Sequence, residues 1–390
     1  MVDISTEILG ILLRNPLISA AGPNGRNGHL LKKLAEGGAG AVVTKSICVK
    51  PFPISALSRP RLNKVKTGLM LTDPYSDKEA KQWKKEIEIA KEAGMPVIAS
   101  IQSLSSDPKD DIRVLGPMME EAGADAVELS AFGSCSNVVD FSGIGPIQDP
   151  KRTYEVTKAA KEIVSIPVIT KLAPEISNFI DLVKSVEAGG ADAIAMRDTI
   201  VPAIAFDLDS GKPLVVRNRG LSWLPEIGGA VVKQNALGFV LEAARRTKLP
   251  IIGIGGVSNW KDAVEMIMAG ATCVGLCTAT IIKGPKVFES ITRGIEKFLL
   301  KNDYKTLADI RGLGLRAVEE EWNKEEVTPL YAKVIVDKCT GCTLCAKLCL
   351  YDSIKMLNKK AQINKNDCSG CGLCESICPV HAIENVIDKR

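Results

Sequence analysis

The sequence predicts an α/β chain, a closed (β/α)8 barrel of the TIM type followed by a small C-terminal module, and three observations carry that expectation. Between residues 17 and 277 a short β-branched run, a loop and an amphipathic helical stretch recur eight times. Glycine-bearing tags recur where one helix ends and the next strand begins. Eight of the 12 cysteines crowd into the last fifth of the chain, which marks a separate module there. An open doubly wound sheet is the alternative architecture, but it has no need of a regular eightfold count.

Taken in order, the strand-like runs are Pro16-Leu17-Ile18-Ser19-Ala20, Ala41-Val42-Val43-Thr44, Pro96-Val97-Ile98-Ala99-Ser100 and Ala124-Asp125-Ala126-Val127-Glu128-Leu129. They continue with Pro167-Val168-Ile169-Thr170-Lys171, Ala191-Asp192-Ala193-Ile194-Ala195-Met196, Pro250-Ile251-Ile252-Gly253-Ile254 and Thr272-Cys273-Val274-Gly275-Leu276. The tags are Ala122-Gly123-Ala124-Asp125, Gly189-Gly190-Ala191-Asp192 and Ala269-Gly270-Ala271-Thr272. Two segments at the C-terminal ends of strands, residues 46–77 and 198–234, exceed what barrel closure requires, and catalytic faces carry such loops. The expected organisation is a barrel over residues 1–300, a linker over 301–330 with a charged helix-like stretch at 319–326, and a cysteine-rich domain over 331–390.

Bulk properties narrow the function. With 390 residues, 46% hydrophobic and 25% charged, the chain can bury one large core and add a small module. Its 50 basic and 46 acidic side chains are too balanced and interspersed to argue for nucleic acid or an anionic membrane surface. Charges interrupt every apolar stretch before the roughly 18 residues a membrane span needs. The start of the chain has no basic segment followed by an apolar run, so a reducing cytoplasm is expected. Only His29 and His381 exist, the first opening a helix and the second in a turn, so acid–base work falls to Cys, Lys, Asp or Glu.

Several barrel residues stand out chemically. Gly253-Ile254-Gly255-Gly256 and Gly275-Leu276-Cys277-Thr278 close the seventh and eighth runs, where barrels commonly bind a phosphate through backbone N–H groups; the bland alternative is a pair of tight turns. No strand-anchored Gly-x-Gly-x-x-Gly with a ribose-binding acid is present, so reducing equivalents are expected from an external donor. Cys135, in Ser134-Cys135-Ser136-Asn137 just after the fourth run, has a polar neighbourhood that favours a functional thiol over a packed one. Cys48, Cys273 and Cys277 read as packing residues. Lys45 and Lys171 end strands and aim two cations at one mouth, where a flavin or substrate oxygen could meet them.

The terminal cysteines follow Cys339-x2-Cys342-x2-Cys345-x3-Cys349 and Cys368-x2-Cys371-x2-Cys374-x3-Cys378-Pro379. This is the ligand arithmetic of two 4Fe-4S clusters, three thiolates of one run and the fourth of the other holding each cubane. Cys339, Cys342, Cys345 and Cys378 are thus expected at one cluster, and Cys349, Cys368, Cys371 and Cys374 at the other. Leu350 stands where a proline often follows. Structural zinc closes at four ligands and would be overshot by this count, and disulfides need an oxidising compartment.

Together these residues resemble the dihydroorotate dehydrogenase superfamily, most closely the part of dihydropyrimidine dehydrogenase that joins an FMN barrel to a two-cluster ferredoxin-like tail. The marks are Asn15-Pro16 through Ala21-Gly22, Thr44-Lys45-Ser46, Ser134-Cys135-x-Asn137, Gln148-Asp149-Pro150, Thr170-Lys171-Leu172-Ala173-Pro174, Gly255-Gly256 and Cys277-Thr278-Ala279. The resemblance implies that Cys135 is the acid/base and that Lys45 and Lys171 flank the flavin. It implies that Ala21, Ser46, Ser100, Gly255, Gly256, Cys277 and Thr278 line FMN, with a glycine loop after the sixth strand supplied by Gly220-Leu221-Ser222 or by Gly228-Gly229-Ala230. Asn137, Asp198 and Thr199 are implied on the substrate side.

Departures from the family pattern bear on the substrate. The cysteine loop runs Glu128-Leu129-Ser130-Ala131-Phe132-Gly133-Ser134-Cys135-Ser136-Asn137, two residues longer than usual and without the first asparagine and the proline. Asp198-Thr199 stands where Asn-Thr or Asn-Ser is common in the family, and Thr67-Gly68-Leu69-Met70-Leu71-Thr72 lacks the asparagine that usually meets orotate. Each lost amide partner costs about 1–3 kcal/mol, so the expected substrate is a pyrimidine such as uracil or thymine, or a related cyclic conjugated carbonyl compound, rather than orotate. The expected activity is reduction or formation of a C=C bond, with an NAD(P)H- or ferredoxin-oxidising partner and a possible homo-oligomer. The alternatives are an electron-relay subunit without a substrate of its own and an ordinary dihydroorotate dehydrogenase.

Overall fold

The computed structural model describes residues 2–51, 61–72, 75–105, 107–130, 149–172, 178–196, 199–200, 203–215, 225–324 and 329–387. It resolves into two compact units, Met1–Val318 and Glu319–Arg390.

The first unit is a closed barrel of eight parallel strands: β1 Leu17–Ser19, β2 Ala41–Val43, β3 Val97–Ile101, β4 Ala126–Leu129, β5 Val168–Leu172, β6 Ala193–Met196, β7 Ile251–Ile254 and β8 Cys273–Leu276. Neighbours in the barrel are neighbours in sequence, and β8 closes on β1 through the pairing Gly275 with Ile18. The helices between them are α1 Gly28–Glu36, α2 Trp83–Lys91, α3 Pro108–Glu121, α4 Pro150–Ile163, α5 Phe179–Ala188, α6 Lys233–Arg246, α7 Trp260–Met268 and, after β8, α8 Val287–Lys301. Every strand coincides with one of the runs read from the sequence, β3 and β5 each continuing one residue beyond it, to Ile101 and Leu172.

Strand alternation divides the core in two. Leu17, Val42, Val97, Val127, Val168, Ile194, Ile251 and Val274 face the helices, whereas Ile18, Ala41, Ile98, Ala126, Ile169, Ala193, Ile252 and Cys273 fill the barrel. The antiparallel pair Thr6–Ile8 and Ile11–Leu13 adds Ile8 and Leu13 to that interior column at the end where the strands begin. Helix starts are capped by side chains: Asn27, Asp107, Asp149 and Asn259 accept from backbone N–H groups of the first turn, and Asp107 and Asp149 are each followed by a proline suited to that position. The tag glycines Gly123, Gly190 and Gly270 take φ of 85°, 82° and 117°, the left-handed turn that sends a helix back to the next strand.

The long segments after β2 and β6 are not plain loops. Arg61–Val65, Gly68–Thr72 and Glu226–Gly228 form a three-stranded antiparallel sheet, with Met70 opposite Ile227. The stretch read as the start of a linker packs onto the barrel: Leu307 and Ile310 are buried, and Thr306 bridges to Asp3. A helix spans Leu313–Trp322, beginning earlier than the charged stretch at 319–326 suggested and leaving 325–328 outside the described residues.

The second unit holds two antiparallel pairs, Leu330–Val334 with Ile383–Ile387 and Ile354–Leu357 with Lys360–Ile363. Two short helices, Leu344–Leu348 and Leu373–Ile377, follow the cysteine loops. Among the described residues no helix is long and apolar enough to cross a membrane.

Candidate active site and iron-sulfur module

The interior parity of the barrel strands continues to their C-terminal ends, where it changes from apolar to polar. Beyond Ile18, Val43, Ile98, Ala126, Ile169 and Cys273, the same face carries Ala20, Lys45, Ser100, Glu128, Lys171 and Gly275. Backbone bonds extend the ladder past the strands and hold this layer in place: Thr44 N donates to Ile98 O at 3.0 Å, Ile47 N to Ser100 O at 2.8 Å and Ser130 N to Ile101 O at 2.9 Å.

Lys45, Lys171 and Glu128 are only 7%, 6% and 1% exposed. Lys171 Nζ lies 3.7 Å from Glu128 Oε1, beyond hydrogen-bond range, and Glu128 Oε1 has no hydrogen-bond partner among the described residues. The hydroxyls of Ser46 and Ser100 are 3.3 Å apart, and Ser46 Oγ lies 3.4 Å from Ser130 Oγ. Buried Gln102 donates through Nε2 to Ser103 O at 2.9 Å but leaves Oε1 unpaired. Burying charged groups, and leaving acceptors such as Glu128 Oε1 and Gln102 Oε1 without a hydrogen bond, costs several kcal/mol, so this density of buried polar groups at strand ends is a ligand-shaped arrangement rather than core packing.

A second set of residues converges beside it. Gly255 and Gly256 take φ of 129° and 72°, and a Cβ on Gly256 would stand 2.6 Å from Lys233 Cα. Gly229, at φ 97°, leaves room for Thr278, whose Cγ2 would be 3.1 Å from a Cβ there. Asn24 Nδ2 donates to Thr280 Oγ1, which donates to Cys277 O at 2.6 Å. Cys277 Sγ occupies the space a Gly22 Cβ would need, and Ala21 and Cys277 cap the interior column while staying partly exposed. The turns after β1, β7 and β8 thus meet the segment that leads into α6. Glycine backbone open to a phosphate, next to buried lysines and hydroxyls suited to a polar ring edge, fits a flavin mononucleotide.

Cys135, Asn137 and Asp198 lie outside the described residues, as does the Gly220 alternative; Gly229 is the glycine placed beside Thr278. Thr199, 8% exposed, donates to Glu226 Oε2 at 2.7 Å, so its hydroxyl is held by the three-stranded sheet. Cys48 and Cys273 are buried, and burial pushes both thiols up to about 12, as inert packing residues require. Cys277 departs from that grouping, being partly exposed at the mouth. His29 and His381 are exposed. Glu128, Gln102 and Asn24 are the site side chains that the sequence reading did not single out. Glu128 could have been found by parity, since a carboxylate two residues beyond an interior alanine must enter the barrel.

In the second unit, one cavity is lined by Cys339, Cys342, Cys345 and Cys378 together with Leu344 and Val380. Another is lined by Cys349, Cys368, Cys371 and Cys374 together with Tyr351 and Ser353. Each loop turns through paired left-handed residues, Gly341 and Thr343 at φ 72° and 68°, and Gly370 and Gly372 at 67° and 79°. Gly341 and Gly370 press on the backbone oxygens of Lys359 and Leu330, where no side chain fits. Donors face the sulfurs: Ala332 N lies 3.4 Å from Cys368 Sγ, Ala382 N 3.2 Å from Cys378 Sγ and Ser353 Oγ 3.3 Å from Cys349 Sγ. The Ala361 N–H holds the Cys339 thiol below its ordinary value, against burial. Among the described residues no three His, Cys, Asp or Glu side chains converge on a single-ion position. Sulfurs ringed around a cavity suit a cubane better than one zinc ion.

Comparison with known proteins accords with this geometry. The family described as dihydroorotate dehydrogenase matches residues 3–299, and a 4Fe-4S binding domain matches residues 361–384. Among relatives, the chain is 32% identical over 310 residues to the dihydroorotate dehydrogenase B (NAD(+)) catalytic subunit of Methanothermobacter thermautotrophicus, covering 80% of this chain and 98% of that one. To the protein of the same name in Methanocella arvoryzae it is 36% identical over 320 residues, covering 82% and 100%. To that of Methanosarcina mazei it is 37% identical over 310 residues, covering 78% and 93%. These relatives carry a dihydroorotate name, whereas the sequence motifs lean toward dihydropyrimidine dehydrogenase; the matches support the superfamily and not that closer likeness. They take in nearly the whole of each relative but only about four fifths of this chain.

Proposed function

The chain belongs to the dihydroorotate dehydrogenase family, and from that premise we propose that it interconverts a six-membered dihydropyrimidine and the corresponding pyrimidine across the ring CH–CH bond, exchanging the electrons with an external redox partner. Dihydroorotate is the first substrate to test, because the relatives covered over nearly their full length bear its name. The observation that carries the reading is the buried polar layer of Lys45, Ser46, Ser100, Glu128 and Lys171 at the strand ends, set beside the glycine-lined turns. When bound, FMN would supply two-electron hydride chemistry and two 4Fe-4S clusters one-electron exchange, a pairing that requires a carrier outside the chain.

In this reading Lys45 and Lys171 hold the polar edge of the flavin, Ser46 and Ser100 contribute hydroxyls, and Gly255, Gly256, Gly229 and Thr278 hold its phosphate. Cys135 moves the proton: it takes one from the ring carbon during dehydrogenation and returns it during reduction. Asn137, Asp198 and Thr199 face the substrate. The cysteines divide four and four, as the two cavities suggest.

A second reading, reduction of an uncharged pyrimidine such as uracil or thymine, is favoured by the missing asparagine in Thr67–Thr72 and by the altered loop before Cys135. Anaerobic half-reactions separate the two. Dihydroorotate should reduce the bound flavin while dihydrouracil does not, and the opposite result would establish the second reading. Cys135→Ala should keep flavin and iron and slow the competent half-reaction by about 100-fold or more. An unimpaired rate would remove Cys135 from the mechanism, and no response to any pyrimidine would leave an electron-relay subunit.

A further inference from the structure

The two cysteine repeats of the second unit share a backbone plan and differ in charge. Offset by the same interval throughout, Lys338 precedes Cys339 where Asp367 precedes Cys368. Ala346 and Lys347 follow Cys345 where Glu375 and Ser376 follow Cys374. Further cations gather at the first cavity. Lys360 Nζ donates to Val336 O at 3.0 Å and to Cys339 O at 2.6 Å, and the Lys359 backbone oxygen abuts Gly341. Lys338, Lys347 and Lys359 are exposed, as are Val336, Leu344 and Val380. The cavity of Cys339, Cys342, Cys345 and Cys378 therefore has a basic rim around a small apolar patch, whereas Asp367 and Glu375 flank the other.

We propose that this rim is the docking face for an acidic one-electron carrier protein, which exchanges electrons with the chain through the cluster site of Cys339, Cys342, Cys345 and Cys378. The inference rests on the redox function proposed above and adds where, and with what kind of partner, electrons cross the protein surface. Solvated lysines are common, and Asp337 beside Lys338 and Lys365 near the other rim dilute the contrast, but on the same scaffold Lys338 stands against Asp367, Lys347 against neutral Ser376 and Glu375 against neutral Ala346, so the difference in charge is tied to position. A second copy of this chain is a poorer occupant, because residues 1–318 also carry more basic than acidic side chains. Transient redox encounters need little buried area and gain speed from opposed charge, so a few lysines beside exposed apolar side chains suffice.

Stopped-flow reduction of the anaerobic holoprotein tests this, using an acidic bacterial ferredoxin as protein donor and the methyl viologen radical cation as small donor. The combined variant Lys338→Glu, Lys347→Glu and Lys359→Glu should lower the second-order rate constant with ferredoxin at least tenfold at about 0.01 M ionic strength, and the deficit should close near about 1 M salt. Its rate with methyl viologen should not fall. If the triple variant loses iron, Lys347→Glu alone should still slow the ferredoxin reaction in a salt-dependent way. Wild-type ferredoxin kinetics in the variants would overturn the proposal, as would equal slowing by Glu375→Lys at the other rim. Failure of methyl viologen to reduce the wild-type protein would instead remove the underlying redox reading.

Discussion

Glu128 is the residue whose burial makes least sense without a bound partner. A carboxylate 1% exposed, with one oxygen unpaired and its lysine 3.7 Å away, is a costly arrangement in a protein that could place leucine there. Its role would be to fix Lys171 and to temper its charge beside the flavin. Glu128→Gln leaves Lys171 buried without a counter-charge and should destabilise the flavin-free protein by about 3–5 kcal/mol in chemical denaturation. With flavin bound, removing a negative charge should move its midpoint potential to a more positive value, and Glu128→Asp should restore part of the difference. Unchanged stability and potential together would show that the pair contributes nothing. Lys45 and Lys171 were legible in the sequence because a cation ending an apolar run breaks its pattern. Asn24 was not, because its bonding to Thr280 exists only once the turns after β1 and β8 meet. Thr199 was named for its neighbourhood in the chain, and sequence could not show that Glu226 holds its hydroxyl.

At the level of elements, legibility followed the range of the interactions. All eight barrel strands were readable because a strand buried on both faces writes a continuous apolar run, and the helix ends because glycine tags and Asp-Pro starts are local devices. Asp125 and Asp192, inside two of those tags, do more than end a turn. Each accepts from the first N–H of the preceding strand at 2.7 Å, from Val97 and Val168, while Lys91 and Lys161 hold them from the helix side at 2.9 and 2.7 Å. The sheet over residues 61–72 and 226–228 could not be read, since Met70 and Ile227 find each other only after the barrel has closed. The pair Thr6–Ile8 and Ile11–Leu13 is too short to show a period.

The start of α7 provides a pH test at this scale. Asp262 is buried, which opposes ionisation, but the Ser258 N–H and hydroxyl and the Lys233 ammonium outweigh that and hold its carboxyl below the ordinary 3.8. A lowered folded-state pKa contributes stability that is fully present above the unfolded value and is lost as pH falls through the folded one. The stability gap between wild type and Asp262→Asn should therefore be constant above about pH 5 and shrink below about pH 4. A gap that widened on acidification would reverse this assignment. Because Lys233 also packs against Gly256, loss of the cap should weaken FMN binding as well.

For the molecule as a whole, the two units answer to different physics. The barrel is held by a large apolar core in two shells, whereas the second unit buries few large side chains and builds its interior from cysteines around two cavities. A module of that size and composition depends on its metal for folding energy, so its structure should be lost with iron while the barrel persists. The same division predicts the outcome of truncation after Lys324, which keeps the whole Leu313–Trp322 helix with the barrel. The shortened chain should fold cooperatively, bind one FMN and retain the flavin–substrate half-reaction within about threefold, because the residues proposed for that chemistry all precede residue 280. It should lose reduction by ferredoxin, since one-electron entry is assigned to the removed unit. Absorbance-monitored titration with FMN, followed by single-turnover mixing with dihydroorotate and then with reduced ferredoxin, reads each term separately. A truncated chain that still accepted electrons from ferredoxin at the full-length rate would place the entry point on the barrel, and one that could not hold FMN would show that the flavin site is completed by the iron-sulfur unit.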